Sequence, residues 1–532
     1  MKKVRWKWWL ILVLIVAAGI YYYVALPAIS IHSKGFWIVI ILFVAALVMF
    51  FTLRTSRTES EIKANRVFKV GAWLVGILLL VFVVGLIIST PLFSASGYNK
   101  LLQVESGDFA TDIEQVDYTQ IPLLDKDSAE ILGNRKMGSL VDMVSQFEVS
   151  TLYSQINYQG KPMRVSPLTY ASPIKWLTNQ GEGIPAYIAI DMATQDTQLV
   201  QLEQGIKYSQ AEYFNRNIYR HLRFRYPTYQ FDQLSFELDD EGTPYWVCPV
   251  KEFTIGLFGG QTIGKVVLCN ALTGETTSIP IEECPSWVDR AYPADLLVDL
   301  YNYHGAYVNG FWNSILGQKG CLKTTEGYNY IALEDGVWVY TGVTSVISDN
   351  SNVGFMLMNQ RTRESRYYEI AGASEESAMA SAEGQVQHLG YTAAFPLLLN
   401  IGDEPTYFMA LKDNAGLVKQ YAMINIEKYQ NVAIGSTVSE CEEAYIELLN
   451  AQGQGNSVSQ ESQSITGTIQ RLTQAVLDGN THFYVTLEES DLIFDIPVID
   501  SIEIVAYGVG DTIRLVYREG DPISVVTAIE DD

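Results

Sequence analysis

Apolar residues follow two rhythms along this chain. Up to about residue 90 they form uninterrupted runs. Beyond it they alternate with polar residues in short bursts. Trp8–Ala28, Phe36–Leu53 and Val70–Ile88 contain no acidic or basic residue. Each has the length a helix needs to cross the hydrocarbon core of a bilayer. The sequence therefore predicts a three-helix membrane anchor over 1–90. Past Thr90 the period shortens to that of strands. Residues 91–136 read as a stalk, with a short helix in IPLLDKDSAEILG (121–133) capped by Asp125 or Asp127 and stopped at Gly133.

One order of elements then recurs four times: a helix, a hairpin with a Gly-containing turn, and an apolar strand that turns into a second strand. The predicted helices are Gly138–Phe147, Ser209–Arg223, Ala294–Leu316 (broken at Gly305 or Gly310) and Ser374–Leu389. The hairpins are INYQGKPMRVSP (156–167), FELDDEGTPYWVCP (236–249), YIALEDGVWVYTG (330–342) and LLLNIGDEPTYFMAL (397–411). Glycine supplies the positive φ these turns need. The following strand pairs lie at 186–202, 265–280, 353–370 and 420–434. This gives β-rich units at 137–205, 206–290, 291–372 and 373–450, the last ending in a helix over Val438–Leu449. A Gly/Ser/Gln-rich linker follows at 451–464. Five short strands over 465–532 suit a small closed barrel of OB or SH3-like type. The predicted fold class is α+β: three transmembrane helices, tandem helix-plus-antiparallel-β units and a C-terminal small β-barrel.

A helix followed by DDEGTPYW (239–246) and VVLCNALTGE (266–275) resembles the PepSY-type module of bacterial envelope proteins and protease propeptides. The resemblance is best over 209–280 and looser over the other units. It brings no catalytic residues and implies an extracytoplasmic interaction or regulatory role. The whole chain is also similar to uncharacterised membrane proteins of Gram-positive bacteria, some of which carry colicin-V-production-type labels.

Charge adds a direction. Of 36 Lys/Arg and 60 Asp/Glu, ten basic and two acidic residues fall in 1–90, a balance of +8 that leaves −32 on the rest of the −24 total. Basic residues precede the first span and fill 54–69, whereas the Ser30–Gly35 turn carries only Lys34. The positive-inside rule then places the N-terminus in the cytoplasm and everything after Thr90 outside. A domain this acidic repels nucleic acid.

Sequence signatures of chemistry are sparse. There is no HExxH, GxSxG, Walker A or Rossmann glycine pattern. GLFGGQTIG (256–264) reads as a loop between strands, and ISDNSNVG (347–354) lacks the closing glutamate of a calcium loop. The five cysteines show no zinc spacing, although Cys248 and Cys269 sit in successive strands where a bridge is open alongside two buried thiols. No cofactor is expected. One anomaly stands out: Arg216, Arg220, His221, Arg223 and Arg225 concentrate positive charge in the acidic part. They form a candidate patch for an anionic wall polymer or partner, or else pair with the domain's own carboxylates. The expected function is a non-enzymatic cell-envelope protein. Its partners would be the lipid bilayer, an envelope protein and an anionic polymer. Protease regulation is the alternative and wall hydrolysis a third reading.

Overall fold

Among the described residues, two helices are long and apolar enough to cross a membrane, Lys34–Thr55 and Arg66–Ile88. A shorter apolar helix, Val16–Ala25, precedes them. The computed structural model describes residues 13, 16–55, 65–113, 121–122, 124–333, 336–346, 351–402, 404–451, 463–477, 480–488, 490, 492–498, 501–518 and 523–530. The first part of the Trp8–Ala28 span, most of the 54–69 loop, most of the 451–464 linker and 347–350 lie outside the described residues. Contacts divide the chain into Met1–Leu448 and Leu449–Asp532.

Within the first unit, among the described residues, four larger and mainly antiparallel sheets follow one another beside a two-stranded one. The first contains Ser154–Tyr158, Lys161–Tyr170, Ile184–Asp191 and Thr197–Ile206. The second contains Ser235–Leu238, Pro244–Ile255, Gly259–Asn270 and Thr276–Pro280. Asn329–Leu333, Gly336–Ser345, Gly354–Asn359 and Ser365–Tyr368 form most of the third, and Leu397–Ile401, Glu404–Lys412, Val418–Asn425 and Val432–Gly435 most of the fourth.

All four sheets share a broken first strand. A short upstream segment pairs with the far half of the long second strand: Phe147–Val149 on 168–170, Phe231 on Val250, Leu322–Thr324 on 343–345, and Thr392–Ala393 on 411–412. Three share a second device. Asp191, Asn270 and Asn359 end the third strand, and each side chain accepts the backbone N–H groups two and three residues on. The threonine at the next-but-two position accepts from the residue two beyond it. A positive φ lies between, at Gln195, Gly274 and Arg363. Asx turns of this kind reverse a strand by lending a side-chain oxygen to the backbone.

Helices precede the sheets, with local caps. Asp125 caps Lys126–Gly138 by accepting from Ser128 N. This helix runs through Gly133, the expected stop, because Gly133 is buried against Tyr153 and Val149 on the first sheet. Residues read as stalk thus pack on the first sheet. In the region expected as a helix from Ser209, a 3₁₀ turn at Phe214–Arg216 leads into Ile218–Arg225, capped by Asn217. The third helix, Ala294–Ala306, ends before Gly310, whose φ of +82° marks the break. Ser374 caps Glu375–Gln385.

The strand Pro244–Ile255 explains the long apolar run around it. Trp246 and Cys248 point into a core shared with the first sheet, whereas Val247 points into a core shared with the 294–306 helix and the third sheet. Buried on both faces, the strand loses the usual polar alternation. Cys248 and Cys269 are free buried thiols.

In the second unit, Gln463–Leu477, Asn480–Leu487, Ile493–Pro497, Thr512–Arg518 and Ile523–Glu530 close into a barrel. The first strand bends at a bulge near Ile469–Arg471 and pairs with both the second and the fourth. The third and fifth pair in parallel. Phe494, Ile496, Leu515 and Val526 fill the interior.

Candidate binding site

The five expected patch residues cluster on and beside the short helix Ile218–Arg225, and four of them have backbone carbonyls as partners. Arg216 donates to Gln180 O at 2.5 Å, and Arg220 to Phe214 O at 2.6 Å and Tyr23 O at 3.3 Å. Arg223 donates to Leu26 O at 2.9 Å and Tyr229 O at 2.6 Å. The Arg220 guanidinium also lies 4.4 Å over the Tyr23 ring. His221 Nε2 donates to Gly274 O at 2.8 Å, and burial lowers its pKa, with Arg225 pushing the same way. Carbonyl acceptors thus hold Arg216, Arg220, His221 and Arg223 in place, while Arg225 faces solvent. Arg220 and Arg223 fasten the segment leaving the first apolar helix to the second β unit. Charged donors to carbonyls make strong hydrogen bonds, and Leu26 needs one because its φ of +48° takes it out of helical geometry.

Glycine-rich 256–264 likewise packs against the apolar helices. Leu257 and Phe258 form the tip of the hairpin between Pro244–Ile255 and Gly259–Asn270. Leu257 O accepts from His32 Nδ1 at 2.8 Å, and Phe258 packs edge-on against Phe82 of the second long helix.

A different place gathers chemistry without using it internally. Where elements of all four β units meet, a cavity of about 500 Å³ is lined by Gln155 and Arg164 of the first, Gln233 of the second, Arg290 and Tyr330 leading into and within the third, and Phe395 of the fourth. Cavities of this size hold small organic ligands. Its deep wall is donor-rich. Arg164 is only 5% exposed and donates to Leu124 O at 3.1 Å and Gln155 Oε1 at 3.5 Å. Burial lowers its pKa to about 10, so it stays charged at neutral pH. Among the described residues, no carboxylate lies within ion-pair distance of it. Asp125, nearby, is committed to Lys412 and Ser128; burial raises its pKa, but those hydrogen bonds carry it below the ordinary value. Gln155 Nε2, Tyr153 Oη and Arg290 Nε are buried with no hydrogen-bond partner. The Arg290 guanidinium sits 5.8 Å from the Tyr330 ring centre.

Sequence reasoning missed this cavity because its residues are scattered from 125 to 395. Hints were present only as a basic residue, Arg164, in an otherwise buried strand. No group of three His, Cys, Asp or Glu gathers as a metal site among the described residues. No model of a known protein family and no curated protein matches this chain.

Proposed function

We propose that this is a non-enzymatic cell-envelope membrane protein, anchored by its N-terminal helices and binding a partner through its tandem β units. The observation that carries the binding role is the junction cavity, which presents donors and aromatic faces where the four sheets meet.

Membrane attachment, with the N-terminus cytoplasmic and the β units extracytoplasmic, is supported by the charge asymmetry around the apolar helices. It is supported too by apolar side chains left exposed beside their ends. Phe93 follows the second long helix. Phe93 lies in a helix, Pro91–Asn99, on which Gly310–Trp312 packs; Trp312 is 67% exposed and Leu316, four residues on, 78%. Phe214, exposed near Tyr23, packs against Trp176 of the short helix Pro173–Asn179, on which Ile174 and Leu177 are also exposed. Such a fringe suits an interface with lipid headgroups.

The broken first strand and the repeated Asx turn support descent of the four units from one PepSY-like module. Strand order 1-2-3-5-4 with 1–4 closure supports an OB-type barrel, here read as a protein-docking element. The helix-plus-meander of 218–280 favours protease regulation as the second reading, through the PepSY resemblance. Full-length protein incubated with isolated cell walls separates binding from hydrolysis: retention without fragment release is expected, and released fragments would reject the non-enzymatic assignment. For topology, Asp532→Cys should label with an impermeant reagent in whole cells; labelling only after lysis reverses the orientation.

A further inference from the structure

A buried guanidinium without a counter-ion is expensive. Its desolvation costs several kcal/mol unless an anion or several acceptors compensate it. Arg164 has two recorded acceptors, a carbonyl and an amide oxygen, and neither carries charge. Around it the unsatisfied groups are donors: Gln155 Nε2, Tyr153 Oη and Arg290 Nε. Gln155 is 3% exposed, so its free amide cannot turn to bulk water without leaving the wall. Burial is the largest influence on Arg164; Tyr330 and Asp125 favour its charge, and Arg290, a second positive charge in the same cavity, opposes it. Lys126 and Asp127 are exposed at the rim, where Asp127 has only the smallest effect on Arg164. The deep groups left without a partner all donate, and the Asp125 carboxylate in the lining is already held by Lys412 and Ser128, so the pocket with its two guanidiniums is complementary to an acceptor-only group. Carboxylates and phosphates are such groups, and guanidinium forks match their geometry. Tyr330 and Phe395 add ring faces for an apolar or planar body.

We propose that the junction cavity binds a small ligand bearing a phosphate or carboxylate, seated between Arg164 and Arg290 with Gln155 and Tyr153 donating, and with its body against Tyr330 and Phe395. This rests on the binding role argued above and names the ligand class. Elements of all four units reach the site, so a bound anion links them through Arg164 and Arg290. Ligand binding therefore stiffens the arrangement of the units.

The test uses full-length protein in detergent micelles, with thermal unfolding followed by intrinsic fluorescence and binding by calorimetry. The probes are inorganic phosphate, phenyl phosphate, benzoate and neutral benzyl alcohol, at matched ionic strength against chloride. Phenyl phosphate and benzoate should raise the unfolding temperature in a saturable way, with inorganic phosphate weaker and benzyl alcohol inert. Preference for phenyl phosphate over benzoate would mark the group as phosphate, and the reverse as carboxylate. Arg164→Met should abolish the response while leaving the ligand-free protein as stable or more stable, because an uncompensated buried charge has been removed. Loss of stability in Arg164→Met together with a persisting response would overturn the proposal, since both belong to a purely structural arginine. Gln155→Leu is the second variant, expected to weaken phenyl phosphate about tenfold, the worth of roughly one hydrogen bond to a charged group. If benzyl alcohol matches phenyl phosphate, the cavity binds ligands but not as an anion site, and the proposed class falls alone. If no probe binds and the protein is also not retained on cell walls, the binding role falls with it.

Discussion

Ser89 Oγ accepts the backbone N–H of Phe258 at 3.0 Å while donating to the Gly85 carbonyl at 2.6 Å. One hydroxyl, at the end of the second long apolar helix, thus holds the tip of a hairpin 169 residues further along the chain. The contact is tight enough that a Cβ on Gly85 would lie 2.6 Å from Leu257 Cδ1. Ser89→Ala leaves a buried N–H unpaired and should cost about 1–3 kcal/mol. Gly85→Leu should cost more, by pushing the tip away. Thermal unfolding in detergent measures both, and wild-type stability in either variant would mean that the tip is not seated there.

Arg223 joins the first helix's exit to the β units in a similar way. Its removal orphans the carbonyls of Leu26 and Tyr229 together. Arg223→Met should destabilise by about 2–4 kcal/mol, from the loss of charge-assisted bonds and their buried acceptors. Binding of polyanions should be unchanged, because the guanidinium is not open to them. A variant with native stability but weaker polyanion binding would restore the surface-patch reading of Arg216–Arg225.

Glu375 gives a pH signature. It is 2% exposed, accepting from Tyr340 Oη and Asn352 Nδ2, both at 3.2 Å. Burial raises its pKa above the ordinary carboxylate value. The folded state therefore binds a proton more readily than the unfolded one. Stability falls as pH climbs from the unfolded value, about 4.3, through the raised folded value, and the loss persists above it. Glu375→Gln should raise the melting temperature at pH 8 and leave it nearly unchanged at pH 4. Equal effects at both pH values would show that the carboxylate is not protonated differently in the two states.

The repeated Asx turns predict equal penalties at unequal places in sequence. Asn270→Ala and Asn359→Ala each remove an oxygen serving two backbone N–H groups. Each should cost about 1–2 kcal/mol in urea unfolding. A negligible cost at one site would separate that unit from the others.

The exposed fringe near the helix ends predicts lipid contact. A polarity-sensitive dye on Leu316→Cys should emit further to the blue in liposomes than in detergent-free buffer standards, whereas the same dye on Lys319→Cys should not. Identical spectra at the two positions would keep the segment out of the membrane interface.

Apolar periodicity was enough to read the long spans Lys34–Thr55 and Arg66–Ile88, the four hairpins and the five barrel strands. Those features depend on neighbours a few residues apart, and the turn residues that end them are local. Even Gly310 declared its break through backbone conformation alone. The Asx turns at 191, 270 and 359 were equally local, visible as Asp or Asn three residues before Thr, yet they gain meaning only when three sheets show the same hydrogen bonds. Gly133 misled because what keeps its helix going is Tyr153, on a strand of the first sheet. The arginines of 216–225 looked like one charged patch because charge is countable in a sequence, whereas a carbonyl acceptor such as Leu26 O is invisible there. Arg164 was unremarked among strand residues. Only the folding together of four sheets buried it, set Arg290 and Gln155 beside it, and left its charge facing a cavity instead of water. Sequence determined the elements because helix and strand answer to nearby residues; tertiary structure decided the site because burial and missing partners are properties of the whole packed unit.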